Sequence, residues 1–393
     1  MTGVYIVSAV RTAIGTFGGS LSGFRPAELG GLVAAEAIRR SGLEAGAIGH
    51  SIFGQVIPTE PADAYVARVA AMHAGVPENA PALTVNRLCG SGLQAIVSAA
   101  QGLMLGDYEA ALAGGTEVMS RAAFFAPAVR WGQKMGDCAL VDGLNGALTD
   151  PFDKVLMGIT AENVANRYGI SREEQDALAL TSQQRAAAAI AEGRFREQIL
   201  PIELMVKRKP ALFDIDEHVR HDASPESLAS LKPIFRKEKG TVTAGNASGI
   251  NDGAAALILA SEAMVKRKGL TPLARLVSYG HAGVPPSLMG IGPVPASRIA
   301  LKRAGLKTKD IDVIEANEAF AAQACAVARE LDLDPARVNP NGSGISLGHP
   351  VGATGAIIAA KLIHELHRSG GRHGLATMCI GGGQGIAAIF ERL

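Results

Sequence analysis

The chain has 393 residues, 48% hydrophobic and 4% aromatic, with a formal net charge of +1. That is ample for a large core in two or three domains, and so balanced a charge gives no bulk signal for a nucleic-acid or membrane partner. Four cysteines in so long a chain do not make a disulfide framework and show no C-x-x-C metal pair; they fit a reducing compartment, the cytoplasm.

Residues 4–10 form an apolar run without a basic n-region and read as a first strand, not a signal peptide. No apolar run is expected to reach transmembrane length, and the ending Phe390-Glu391-Arg392-Leu393 is not a peroxisomal Ser-Lys-Leu signal. Further strands are expected over 51–56, 81–85 and 110–113, with helices over 27–40 and 63–74 between them. That alternation indicates an α/β unit over 1–120, with a mainly parallel sheet covered on both faces.

Within this unit the stretch Asn86-Arg87-Leu88-Cys89-Gly90-Ser91-Gly92 stands out. An apolar strand precedes it, and the following run from Gly92 to Ala100 is apolar on nearly every face, as a buried helix is. Gly90 and Gly92 let a ligand approach the backbone. A helix start beside Cys89 offers free N–H groups and a positive dipole end, which favour thiolate over thiol. The bland alternative is an inert, buried cysteine.

From 121 to 245 the texture changes. Phe124, Phe125, Pro127 and Trp131 suggest an irregular, partly apolar excursion. Helices are expected over 159–168 and 172–192, with Ser171 as N-cap and acids in the first turn. The basic residues Lys207, Arg208 and Lys209, and later Arg220 and His221, read on their own as a solvated face. The segment is an inserted loop domain. Residues 246–271 return to the first unit, and a second unit covers 272–393.

The two units look alike. Ile38-Arg39-Arg40-Ser41-Gly42-Leu43 resembles Leu301-Lys302-Arg303-Ala304-Gly305-Leu306 at an offset of 263 positions (305 − 42), and the same offset carries Cys89-Gly90-Ser91-Gly92 onto Gly352-Ala353-Thr354-Gly355. Two copies of one unit about a pseudo-twofold axis would bring the two helix starts close together. Three stretches of the second unit then gain meaning. Asn317-Glu318-Ala319-Phe320 follows a strand, though Asn317 would ordinarily cap a helix. His349 lies three positions before the counterpart of Cys89, the proximity a Cys–His pair needs. Cys379 precedes the glycine run Gly381–Gly383, which can present N–H groups.

Together Asn86–Gly92, Asn317–Phe320, Gly348-His349-Pro350 and Cys379–Gly383 resemble the thiolase family over essentially the whole chain, above all the bacterial β-ketothiolases (acetyl-CoA acetyltransferases), including the broad-range type that supplies polyhydroxyalkanoate monomers. The resemblance implies the thiolase fold: two related α/β halves plus a loop domain that binds coenzyme A and carries a tetramerisation loop. It implies a homotetramer built as a dimer of dimers, acyl-CoA and coenzyme A as partners, and no permanently bound cofactor or metal. By resemblance Cys89 is the acylated nucleophile, His349 its base and Cys379 the second acid/base. Asn317 and His349 form one oxyanion hole, and the N–H groups of Cys89 and Gly381 form another. Ser248, Arg220, Ser227 and Leu148 match coenzyme A contacts; Met157, Phe235, Met289 and Phe320 match acyl-pocket walls. Leu156 departs from the histidine of many short-chain members.

A Claisen condensation needs an acyl group parked on a good leaving group, two acid/base groups for two protons, and two sets of oxyanion donors. Cys379 argues against a ketoacyl synthase, which typically uses a second histidine, and the intact set argues against a non-enzymatic lipid-binding module.

Overall fold

The computed structural model describes residues 3–206 and 208–393. An 11-stranded sheet runs along its main path in the order Val313–Ala316, His373–Ile380, Gln384–Arg392, Ala274–Gly283, Val4–Thr12, Asn251–Ser261, Ala110–Val118, His50–Gly54, Ala82–Val85. The order is palindromic about the junction of Val4–Thr12 with Ala274–Gly283, where only Tyr5 with Arg275 and Ile6 with Ala274 pair. On either side come two antiparallel pairings and then a parallel one. The expected repeat is therefore built into the sheet. The 263-residue offset carries His50 onto Val313 (313 − 50) and Ala110 onto His373 (373 − 110), the first residues of matching strands.

A mainly parallel sheet was the wrong expectation. Asn251–Ser261 enters between Val4–Thr12 and Ala110–Val118 and runs against both. Gln384–Arg392 does the same in the second half as a hairpin partner of His373–Ile380. The long insertion separates the first of these strands from its neighbours in sequence, and the second follows a tight turn without a helix, so alternation alone cannot reveal either.

Every residue of Asn251–Ser261 and of Ala110–Val118 is buried, as strands covered on both faces must be. The helices Pro26–Ser41 and Val66–His73 cover the outer face of the first half, and Pro293–Ala304 that of the second. Between the two halves lie Ser91–Leu105 and Val351–Ser369, packed on each other and on strands of both halves. The window Leu88–Leu105 is in fact long and apolar enough, by composition, to cross a membrane, with a mean hydropathy of 1.3. This corrects the expectation that no such run exists; the apolarity has a structural reason, because most of the window is buried inside the protein.

One departure from symmetry matters for the site. The counterpart of the edge strand Ala82–Val85 is the short helix Gly344–Leu347. It packs on the inserted helix Arg172–Ala191, where Ser182 Oγ and Ser346 Oγ lie 2.8 Å apart. That inserted helix has the expected cap: Ser171 accepts from the Glu174 N–H, and Glu174 returns the bond. The insertion is tied to the first strand by Arg11, whose guanidinium grips Asp216 at 2.7 and 2.9 Å with both groups fully buried.

Candidate active site

The strand Ala82–Val85 ends in a loop held by its own side chains. Asn86 Oδ1 accepts the Leu88 N–H at 3.0 Å, and Leu88 sits in the left-handed region at φ 46°. Ser91 Oγ accepts the Arg87 N–H at 2.8 Å and donates to the Leu88 carbonyl at 2.7 Å. A non-glycine residue at positive φ persists only where such bonds over-determine it. The result holds Cys89 at the entrance of the helix Ser91–Leu105, whose N-cap is Gly90. A Cβ on Gly90 would lie 2.6 Å from Ile380 Cδ1, so glycine lets the Cys89 loop touch the strand that carries Cys379.

Two further glycines bring the halves together. A Cβ on Gly92 would lie 2.6 Å from the Ala356 nitrogen, and one on Gly355 would collide with the Leu93 nitrogen. These pairs are related by the offset itself, since 355 − 92 and 356 − 93 are both 263. The two central helices thus cross backbone to backbone on the pseudo-twofold axis. Cys89 precedes one helix, and His349 precedes the other, Val351–Ser369.

His349 is held from three directions. Gly348 turns at φ 110°, the His349 N–H donates to Asn251 Oδ1 at 3.0 Å, and the ring Nδ1 meets Thr354 Oγ1 at 2.6 Å. The other ring nitrogen, Nε2, faces Asn317 Nδ2 from 3.5 Å, the outer limit of a hydrogen bond. A substrate oxygen lying between them could accept from both. Asn317 does not cap the following helix, which begins four residues later at Ala321, so its ordinary role is excluded. Cys379 closes the site from His373–Ile380, and Gly382 and Gly383, both at positive φ, turn that strand sharply behind it.

Three of these groups are shut off from water, His349 at 5% exposed, Asn317 at 1% and Cys379 at 0%, while Cys89 is partly buried. Burial pulls His349 down to about 4. Burial pushes the Cys89 thiol up to about 11; the N–H groups of Gly381 and Cys89 itself work against that push, and Glu117 adds to it. Burial and the nearby Cys89 raise the Cys379 thiol well above its ordinary range. Desolvation therefore opposes the thiolate that the helix start was expected to favour. Burial thus favours the uncharged form of both groups, and the proton is transferred as the sulfur attacks.

A cavity of about 70 Å³ joins these groups. Cys89, His349, Cys379 and Gly381 line it, with Leu148, Met157, Ser248, Met289 and Phe320. Ser248 is fixed because its N–H donates to the Ala319 carbonyl at 3.0 Å, and Ala321 N–H to the Asn246 carbonyl at 2.8 Å. Three assigned residues lie elsewhere. Phe235 does not line the cavity; it packs edge-on against Phe320 at 6.2 Å and flat against Gly158. Ser227 spends its hydroxyl on the Ser224 carbonyl at 2.9 Å, inside a helix-capping turn, and Arg220 is exposed on the inserted segment.

Sequence reasoning missed Glu117, Asn251 and Thr354. Glu117, buried at the end of Ala110–Val118 and pushed up to about 8, accepts N–H bonds from Val56, Ile57 and Gly352 at 3.0, 3.1 and 2.8 Å. It thereby ties the cavity wall of the first half to the helix of the second. The one available signal was for Thr354, which stands at the offset from Ser91.

The family models described as "Thiolase, N-terminal domain" and "Thiolase, C-terminal domain" match residues 4–263 and 270–392. The chain is 64% identical over 390 residues to the β-ketothiolase BktB of Cupriavidus necator, covering 99% of each. It is 51% identical over 394 residues to the acetyl-CoA acetyltransferase of Pseudomonas aeruginosa, covering 100% of each. Crystal structures of human mitochondrial 3-ketoacyl-CoA thiolase superpose with a TM-score of 0.97 at 47% identity, over 100% of this chain and 99% of that one, and in complex with CoA with a TM-score of 0.96, over 100% and 98%. These matches run through both halves of the palindromic sheet and through every segment that contributes to the cavity, and the chain belongs to the thiolase family.

Proposed function

We propose that the chain is a β-ketothiolase, an acyltransferase that reversibly condenses an acyl-CoA with acetyl-CoA to give a 3-ketoacyl-CoA and free coenzyme A. The observation that carries this reading is the meeting of two cysteines, a histidine and the Gly381 backbone in one cavity, with Asn317 Nδ2 beside the histidine at 3.5 Å and the N–H groups of Gly381 and Cys89 directed at the Cys89 sulfur.

Cys89 Sγ attacks the acyl-CoA carbonyl while its proton passes to His349 Nε2. The N–H groups of Cys89 and Gly381 hold the oxyanion. Coenzyme A leaves as a thiol with one proton, and the acyl group stays on Cys89. The remaining proton sits on Cys379 or on His349. With it on His349, Cys379 is the thiolate that takes the α-proton of acetyl-CoA, and His349 Nε2–H and Asn317 Nδ2 donate to the enolate oxygen. The enolate carbon then attacks the acyl-Cys89 carbonyl, and the Cys89 sulfur leaves and recovers its proton from His349. Two protons move between different atoms, which is why two acid/base groups are present. Thioesters activate both carbonyls, so no resident metal or cofactor enters the scheme.

Arg220, Ser227, Leu148 and Ser248 are proposed contacts for coenzyme A, and Phe235 acts on the acyl pocket through Phe320. A homotetramer is part of the proposal. The segment from Phe124 to Val141 supports it by exposing Phe124 at 62%, Trp131 at 93% and Met135 at 89%, and the open edge of Ala82–Val85 offers a further pairing surface. Four free cysteines favour the cytoplasm. The test is thiolysis of a panel of 3-ketoacyl-CoA thioesters of increasing length, followed as loss of the magnesium–enolate absorbance on adding coenzyme A. Turnover of the C4 and C5 members supports the reading; no turnover of any member contradicts it.

A further inference from the structure

We propose that Thr354 is a positioning residue that fixes the tautomer of His349 and so makes Nε2 the basic nitrogen. The argument is a proton count. Thr354 Oγ1 is 2.9 Å from the Pro350 carbonyl oxygen and 2.6 Å from His349 Nδ1. The Pro350 carbonyl can only accept in this contact, and we take the single hydroxyl proton of Thr354 to lie on it, beside the N–H groups of Ala353 and Thr354 that it also accepts. With the proton there, the hydroxyl oxygen accepts from the ring, and Nδ1 carries the ring proton. Nε2 is left with its lone pair, facing Asn317 and the cavity. The partner is a neutral hydroxyl, not a carboxylate. It selects the tautomer without lending charge to an imidazolium, in keeping with a ring whose basicity burial alone sets.

The pseudo-symmetry strengthens the assignment. The counterpart of Thr354 is Ser91 (354 − 91 = 263), and its hydroxyl works in the same way: it donates to one carbonyl, Leu88, and accepts from one N–H, Arg87. One hydroxyl per half, on the first turn of each central helix, locks the loop that bears a reacting side chain. In the first half it locks backbone; in the second it locks the imidazole.

The inference rests on His349 being the base, so the experiment includes His349→Asn. Thr354→Val keeps the shape of the side chain and removes the hydroxyl; Thr354→Ser keeps the hydroxyl. Each is assayed for thiolysis of acetoacetyl-CoA and for acetylation of Cys89 by radiolabelled acetyl-CoA. The expected result is a kcat roughly 10–100-fold lower for Thr354→Val, the scale of one lost buried hydrogen bond to a reacting group, with KM held within about twofold, acetylation slowed by the same factor and near-parental rates for Thr354→Ser. Parental rates in Thr354→Val, with His349→Asn inactive, would overturn the role of Thr354 alone. Equal losses in the Val and Ser variants would also overturn it, since packing and not the hydroxyl would then matter. An active His349→Asn would overturn both this inference and the assignment of the base.

Discussion

The substitution Gly92→Ala tests whether the crossing of the central helices sets the site. The added Cβ would stand 2.6 Å from the Ala356 nitrogen and 3.1 Å from the carbonyl oxygens of Gly352 and Ala353, where ordinary contact begins at 3.4 Å. All three neighbours are backbone, so no side chain can rotate away. The helices must part by about 0.8 Å (3.4 − 2.6). Overpacking of this kind costs about 1–3 kcal/mol, and alanine in a helix returns up to about 1 kcal/mol. At roughly 2.1 cal/mol/K per residue, a chain of 393 residues has an unfolding entropy near 0.8 kcal/mol/K. A net loss of about 2 kcal/mol therefore lowers Tm by only about 2–3 °C. Activity is the sensitive readout, because a misplacement of about 1 Å can cost roughly 100-fold in rate. Gly46→Ala is the control, since its Cβ would meet nothing within 4 Å. The expected outcome is a folded Gly92→Ala protein with kcat down roughly 100-fold and a control at parental rate. A Gly92→Ala enzyme at parental kcat would refute the reasoning.

Because the Cys89 thiol is pushed up to about 11, inactivation by iodoacetamide should climb roughly tenfold per pH unit between pH 7 and 10; a plateau below pH 8 would mean a resting thiolate. Arg220→Ala should raise KM for CoA thioesters several-fold and leave kcat near parental, because an exposed contact far from the reacting carbon acts equally on ground and transition states; a fall in kcat at constant KM would count against it.

Much of the architecture was legible because the repeat is physical. Gly92 and Gly355 share an offset for the reason that both must clear the other helix, and that offset alone places His349 near Cys89. What escaped is what tertiary context decides. The strand Ala110–Val118 extends beyond 113 because Gly114 and Gly115, poor strand formers, lie where the chain is crowded by Phe53 and Gly352. The shift of the Cys89 thiol depends on how dry the cavity is, which no local pattern reports. The work of Glu117 is three backbone bonds from distant segments, and side-chain identity alone does not foretell such partners. Asn317 looked like a cap until the helix proved to start at Ala321.

The central claim is that Cys89 carries the acyl group while Cys379 moves the α-proton, and Cys379→Ser separates the two. Serine is close in size but far less acidic than a thiol, whose reference value is about 8.5, so the condensation rate should fall roughly 10²–10⁴-fold. Transfer of a radiolabelled acetyl group to Cys89 should suffer less, because the nucleophile and its base are untouched. The measurement compares trapped label with deuterium uptake at the α-carbon of acetyl-CoA in the same preparation. The account predicts label without deuterium; parental exchange with no label on Cys89 would show that the two cysteines have the opposite roles.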